Sequence, residues 1–264
     1  MIKSFFGLKD NPFTKNIDSK DVFQSGSFKE LLCRLDYMKK NLGLMLITGE
    51  PGIGKSLALR TFTENLNANL YLPIYIPLTT ISQTEFYRQI NFKLTGQFLH
   101  RKVDLFNSIQ KTIKDSVTNK KKVPVIIIDE AHLLKPGILY EIQIILNFDI
   151  DSTNPLLFIM AGQSHLRDKI SRTIHDSLNQ RFSIKYHLIP ISRDETSAYI
   201  KHRLSLCGSK DDIFSDSAIE AIFQNTAGIP RNIDNLATKS LTVACINKKR
   251  TITEEEVFLA AKEL

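Results

Sequence analysis

Gly49-Glu50-Pro51-Gly52-Ile53-Gly54-Lys55-Ser56 fits the phosphate-loop pattern G-x-x-x-x-G-K-[ST] at every fixed position. Residues 44–48 (Leu-Met-Leu-Ile-Thr) read as a buried strand running into it, and the chain continues helically from Leu57. Strand, loop and helix in that order give the motif its mechanism. The glycines let backbone N–H groups curl around phosphate oxygens at a helix N-terminus, where the dipole favours negative charge. The stretch from Gly49 to Leu57 therefore reads as the cradle of a nucleoside triphosphate. Lys55 is expected to reach the β- and γ-phosphates, and the Ser56 hydroxyl to ligate Mg²⁺.

A second segment completes this reading. Residues 125–128 (Val-Ile-Ile-Ile) form an apolar run ending in Asp129-Glu130. Such a run is what a parallel strand covered on both faces looks like. Carboxylates at its C-terminal end sit where open α/β sheets bind ligands. Asp129 is expected to hold Mg²⁺, directly or through water, and Glu130 to orient and polarise an attacking water. The implied reaction is hydrolysis of a nucleoside triphosphate.

Composition narrows the class. Apolar residues make up 42% of the 264, enough for one large α/β domain and a smaller one. The longest apolar runs are too short to span a bilayer, and the first ten residues lack a long apolar stretch of the signal-peptide kind. Cys33, Cys207 and Cys245 are widely separated, so neither a disulfide framework nor a zinc site is expected. His132, just after the carboxylates, reads as a local hydrogen-bonding residue. A cytoplasmic protein without a membrane partner is expected. Lys and Arg total 35 against 28 acids, a net charge of +7. That balance suits a phosphate-rich polymer but does not establish one. The dense run Lys120-Lys121-Lys122 reads equally as a solvated loop.

Periodicity and caps set the organisation. A strand is expected over residues 70–76, then a helix opened by the capping box Ser82/Glu85, and another helix over 103–117. Leu134, Ile138, Ile142 and Ile145 recur at helical spacing, and Asn154-Pro155 turns the chain into a strand over 156–161. Strand and helix alternate, as in a parallel sheet between helical layers. Beyond residue 190 only helices follow, opened by Ser192/Glu195, by Ser215, after Gly228-Ile229-Pro230, and by Thr253/Glu256. The expected division is residues 1–190, an α/β core with an N-terminal linker, and residues 191–264, a helical lid.

The chain resembles the AAA+ ATPases, and within them the ExeA-type proteins and their relatives TnsC, TniB and MuB, ATPase regulators of transposition. The resemblance covers nearly the whole chain. It rests on residues 6–13 (Phe-Gly-Leu-Lys-Asp-Asn-Pro-Phe), the phosphate loop, Asp129-Glu130-Ala131-His132, Ala161-Gly162-Gln163, Asn179-Gln180-Arg181-Phe182 and Gly228-Ile229-Pro230-Arg231, in the family's order. It implies a three-layer αβα phosphate-loop core followed by a small helical lid, with ATP and Mg²⁺ as cofactors. It implies that Arg181 is an arginine finger acting on a neighbouring subunit's γ-phosphate, with Arg172 as the competitor. Arg231 would be the lid's sensor arginine. Gln163 would be the polar sensor beside the attacking water, where many relatives carry Asn, Ser or Thr. Asn147 is a further polar contact or a helix cap. Val22 or Phe23 would pack on the adenine, or both are core anchors.

The resemblance also implies a function: an ATPase that oligomerises with ATP on double-stranded DNA, as a ring or a helical filament, and regulates a transposase or related recombination protein. Thr80, Arg88, Lys93 and Lys120–122 would be the DNA contacts, by analogy with relatives that line a central pore. Two alternatives stand beside it. One is a secretion-associated ATPase of the ExeA type; full-length proteins of that type carry a membrane span and a wall-binding region after the ATPase, which the sequence ending at Leu264 lacks. The other is a nucleotide-dependent loader or defence adaptor acting on a protein.

Overall fold

Three apolar runs, residues 44–48, 125–128 and 156–161, become the middle of one parallel sheet. The computed structural model describes residues 2–77, 79–149, 152–209 and 212–262. Met1 and Leu264, the outer bounds of the expected division, lie outside the described residues. The chain forms two compact units, each described on its own: Glu30–Pro51 with Lys55–Leu188, and Met1–Lys29 with Gly52–Gly54 and Ile189–Leu264.

In chain order the elements are α1 (Ile2–Phe6), α2 (Gly26–Asn41), β1 (Gly43–Gly49), α3 (Lys55–Glu64), β2 (Tyr71–Ile76), α4 (Gln83–Thr95), α5 (Lys102–Thr118), β3 (Val123–Ile128), α6 (Pro136–Ile145), β4 (Leu157–Gly162), α7 (His165–Ile170), α8 (Asp176–Arg181), β5 (Phe182–Leu188), α9 (Arg193–Leu206), α10 (Asp216–Thr226), α11 (Pro230–Ile246) and α12 (Glu254–Ala261).

In the larger unit the strand order is β2-β3-β4-β1-β5, and every pairing is parallel. The central strands β1 and β4 are buried along their whole length, as their apolar composition requires. On one face Leu46, Ile126, Ile128 and Phe158 join Phe86 and Ile90 of α4, Ile109 of α5 and Ile142 of α6 in a single core. Their alternates Met45, Ile47, Ile127 and Ile159 are equally buried. This is the α/β fold with a helix-flanked parallel sheet that the sequence implies. β5 was not among the expected strands. Its ends alternate, with Phe182, Tyr186 and Leu188 inward and Ser183, Lys185 and His187 outward, as an edge strand does.

The register fixes the working edge of the sheet. Thr48 pairs with Gly162 and Ile128 with Met160. The ends of β1, β3 and β4 therefore deliver the phosphate loop, Asp129-Glu130 and Gln163 to the same edge.

The smaller unit has its own core, built from α9 to α12 and the N-terminal residues Phe6, Leu8 and Phe13. The boxes at Ser192/Glu195 and Thr253/Glu256 form, although in the second the Thr253 hydroxyl donates to Glu256 at 2.6 Å. Arg203 ties the N-terminal segment to these helices, donating from Nε to the Pro12 carbonyl and from Nη2 to the Thr14 carbonyl, each at 2.7 Å. Gly228 closes the turn before α11 with φ of 71°; a Cβ there would lie 2.0 Å from the Ile191 carbonyl oxygen, so only glycine fits.

Candidate functional site

Lys55 opens α3 at the end of the glycine loop and is buried. Its Nζ donates to the Gly49 carbonyl at 2.8 Å and to the Glu50 carbonyl at 3.0 Å, so the loop's own backbone aims the ammonium. Glu50 is held in turn, its Oε1 accepting from the Ser164 hydroxyl at 2.6 Å. Gly52 has φ of +80°, and a Cβ there would meet the Arg231 Cβ at 2.7 Å. The Arg231 N–H donates to the Gly52 carbonyl at 3.2 Å. That arginine is the second residue of α11, after Pro230, which takes the first helical position because it has no N–H to leave unpaired.

Asp129 is the most constrained carboxylate of the edge. Its Oδ2 accepts from the Ser56 hydroxyl at 2.7 Å, its Oδ1 from the Glu130 N–H at 2.9 Å. The short Ser56 contact has the length of a charge-assisted bond. A third donor was not foreseen: the Tyr75 hydroxyl reaches Oδ2 at 3.3 Å from the edge strand β2. Desolvation and the Asp129 charge push the Tyr75 phenol up to about 12, so it stays a donor at neutral pH. Tyr75 and Ser56 also line a groove of about 420 Å³ with Leu59, Arg60, Thr63 and Glu64. The only sequence signal for Tyr75 was its place near the C-terminal end of a predicted strand.

Glu130 adopts a left-handed backbone, φ 51° and ψ 34°. Such a conformation in a residue with a Cβ is held by its surroundings. Its carboxylate is half-exposed and lies 3.4 Å from Nδ1 of buried His132. That nitrogen also faces the Gln163 N–H at 3.4 Å. Burial, ahead of the opposing pull of Glu130, holds His132 below the usual imidazole value. His132 thus bonds locally, as its position suggested. Among the described residues no group of three or more His, Cys, Asp or Glu forms a metal site.

The remaining expected residues divide. Arg181, last of α8, donates from Nη1 to the Gln143 carbonyl of α6 at 3.1 Å. Arg172 is exposed on the turn before α8. Asn147 follows α6, and its carbonyl accepts from Gln110 at 3.4 Å. Val22 is buried, and Phe23 sets its ring edge-on to Tyr199 at 5.6 Å, within the helical unit. Thr80 follows β2, whereas Lys120–122 precede β3. The lysine run is therefore a strand's length, roughly 20 Å, from the Asp129 end of the sheet. Lys120 pairs with Asp115 at 3.7 Å.

A parallel α/β sheet with a phosphate loop after its first strand and carboxylates after its third defines a phosphate-loop protein. Residues 38–170, half of the chain, match the family model described as AAA domain, and the chain belongs to that family. It is 28% identical over 267 residues to General secretion pathway protein A of Aeromonas hydrophila, an alignment covering all of this chain and 48% of that protein. The chain thus spans about half the length of this curated relative. Among solved structures it is similar to Cdc6p from Pyrobaculum aerophilum, with TM-score 0.73, 16% identity, and coverage of 97% of this chain and 71% of that one. It is also similar to the Drosophila ORC bound to DNA, with TM-score 0.71, 16% identity, and coverage of 99% and 65%. At these identities the structural likeness shows the fold alone. Among the described residues no helix is long and apolar enough to cross a membrane.

Proposed function

We infer that the chain is an ATPase that uses Mg²⁺, assembles on double-stranded DNA and regulates a transposase or related recombination protein. The observation that carries the ATPase reading is the Ser56–Asp129 hydrogen bond, which joins the two halves of the phosphate site. The hydroxyl and carboxylate oxygens of Ser56 and Asp129 are the hard donors that Mg²⁺ prefers, so the residues present fit that ion. When bound, Mg²⁺ supplies charge neutralisation of the phosphates. The backbone N–H groups of residues 49–57, Pro51 excepted because it has none, and the Lys55 ammonium take the phosphates, and Glu130 takes a proton from water. Gln163 stands ready as a polar contact for that water. Residues 1–190 act as the core and 191–264 as a lid whose Arg231 senses nucleotide, while Val22 or Phe23 packs on the base.

Arg181 acts across a subunit boundary. Supporting this, Tyr140 and Ile144 of α6, which carries Gln143, and Ile174 on the turn just before α8 expose apolar surface. Exposed apolar surface beside a polar anchor suits a partner face. DNA is supported by the net charge of +7 and by Arg88 and Lys93 on α4.

A second reading has its own observation. The similarity to General secretion pathway protein A runs the full length of this chain and favours a secretion-associated ATPase. Since the chain spans half of that relative, where it ends does not separate the two. The test is anisotropy of labelled duplex DNA against protein, with and without Mg-ATP and at two salt concentrations. ATP-dependent, salt-sensitive binding supports the DNA regulator. Intact ATP turnover without duplex binding rejects it and leaves the secretion or loader reading.

A further inference from the structure

Among the described residues Phe98 is the most exposed large apolar side chain, at 73%. Its ring stacks on that of Phe92, which is 43% exposed, with centroids 4.5 Å apart and planes 29° from parallel. The loop that carries it is braced from α4 on both sides. After the Gly96 cap, the Gln97 N–H donates to Thr95 Oγ1 at 3.0 Å, and buried Asn91 donates from Nδ2 to the Gln97 carbonyl at 2.9 Å. Arg88 Nη2 reaches the His100 carbonyl at 3.5 Å, and Leu99 packs on the core. With both neighbours pinned, Phe98 is held outward, and its exposure is built into the loop.

The stretch of sequence around the stack is basic. Residues 86–103 contain Arg88, Lys93, His100, Arg101 and Lys102 and no acid. Lys102 is engaged by Glu141 at 2.6 Å. Asp104 borders the patch 3.9 Å from Arg101, and Glu85 is folded back onto Ser82 in its cap. Arg88 and Lys93 on α4 and the largely exposed Arg101 on the loop supply the positive charge beside the aromatic pair.

We propose that the Phe92–Phe98 stack with Arg88, Lys93 and Arg101 is a binding site for single-stranded nucleic acid. Phosphates meet the cations, and an unpaired base stacks on Phe98. This pairing of cations with an exposed aromatic face is how single strands are held without sequence preference. Bases inside a duplex have their faces covered by neighbours, so Phe98 selects the unpaired strand, whereas the cations serve either. The inference rests on the reading that this surface meets DNA, and the experiment separates the two.

The chain contains no tryptophan, so Phe98→Trp places a unique fluorophore in the stack. An oligothymidylate of about twenty nucleotides is expected to quench it saturably. In anisotropy, Phe98→Ala should weaken that oligomer by about five- to a hundredfold while duplex affinity stays within about twofold. Phe98→Tyr, which keeps a ring, should restore the wild-type value. An unquenched indole, or an oligothymidylate affinity indifferent to Phe98→Ala, overturns the proposal even if wild-type protein binds duplex. Equal quenching by poly-glutamate also overturns it, in favour of an acidic protein segment. Absence of binding to both oligomer and duplex sinks the proposal together with the DNA reading.

Discussion

The Ser56 hydroxyl donates to Asp129 Oδ2 across 2.7 Å, joining residues 73 apart in the chain at one edge of the sheet. If that pair receives the metal, Ser56→Ala should abolish the part of nucleotide affinity that depends on Mg²⁺, about tenfold or more, and spare affinity in EDTA. Tyr75→Phe should act more gently. It removes a donor that steadies Oδ2 from β2. The Mg²⁺ concentration for half-maximal nucleotide binding should rise about two- to tenfold. A fluorescent ATP analogue titrated with Mg²⁺ measures both. Equal losses with and without Mg²⁺ would assign Ser56 to folding or phosphate contact instead.

Glu130 is the expected base, and its left-handed backbone sets its carboxylate beside His132. Glu130→Gln should lower ATP turnover by about 10²- to 10⁴-fold with nucleotide affinity nearly unchanged. Single-turnover rates with a separate binding titration check this. A variant that turns over at the wild-type rate would move the base elsewhere on the edge.

Arg181 and Arg172 make opposite demands on an experiment. Arg181 is anchored on the Gln143 carbonyl, and Arg172 is exposed. The finger residue, truncated to Ala, should cut turnover by about 10³-fold or more. The loss should be recovered when the variant is mixed with a Glu130→Gln chain that supplies the arginine in trans. Our expectation is that Arg181→Ala behaves so and Arg172→Ala does not; recovery by Arg172→Ala alone would exchange the assignments.

What could be read from the chain follows from how local each feature is. The buried strands β1, β3 and β4 announce themselves as continuous apolar runs, and the phosphate loop is a contiguous motif. The helical caps at Ser82, Ser192 and Ser215 are four-residue signals, and they form. β5 was missed because an edge strand carries Ser183, Lys185 and His187 among its apolar positions. Tyr75 was missed for another reason. Its bond to Asp129 depends on β2 lying beside β3 in the register Tyr75–Ile127, and no local pattern reports a neighbouring strand. The same holds for Arg203, whose partners Pro12 and Thr14 lie 191 and 189 residues away.

That Arg203 cluster yields the last prediction. Tyr199 donates to Asp234 Oδ1 at 2.7 Å, and Arg203 Nη1 lies 3.6 Å from Asp234 Oδ2 and 3.0 Å from the Tyr199 hydroxyl. Burial pushes the Asp234 carboxyl up to about 6, against the pull of Arg203 and Tyr199. The folded state therefore keeps a proton that the unfolded chain, with an ordinary value of 3.8, has released. The stability from this group is complete below about pH 3.8 and is lost as pH rises through about 6, a change of roughly 2–3 kcal/mol. Glu256 works in the other direction lower down. Burial alone would raise it, but Lys249 and Thr253 bring it to about 2, so its stability is present above about 4.5 and lost as pH falls through about 2. Urea unfolding followed by circular dichroism between about pH 4.5 and 6.5 isolates Asp234. Wild-type stability should fall relative to Asp234→Asn across that window. Parallel profiles would mean that the carboxylate is already ionised there, held by Arg203 more tightly than burial opposes.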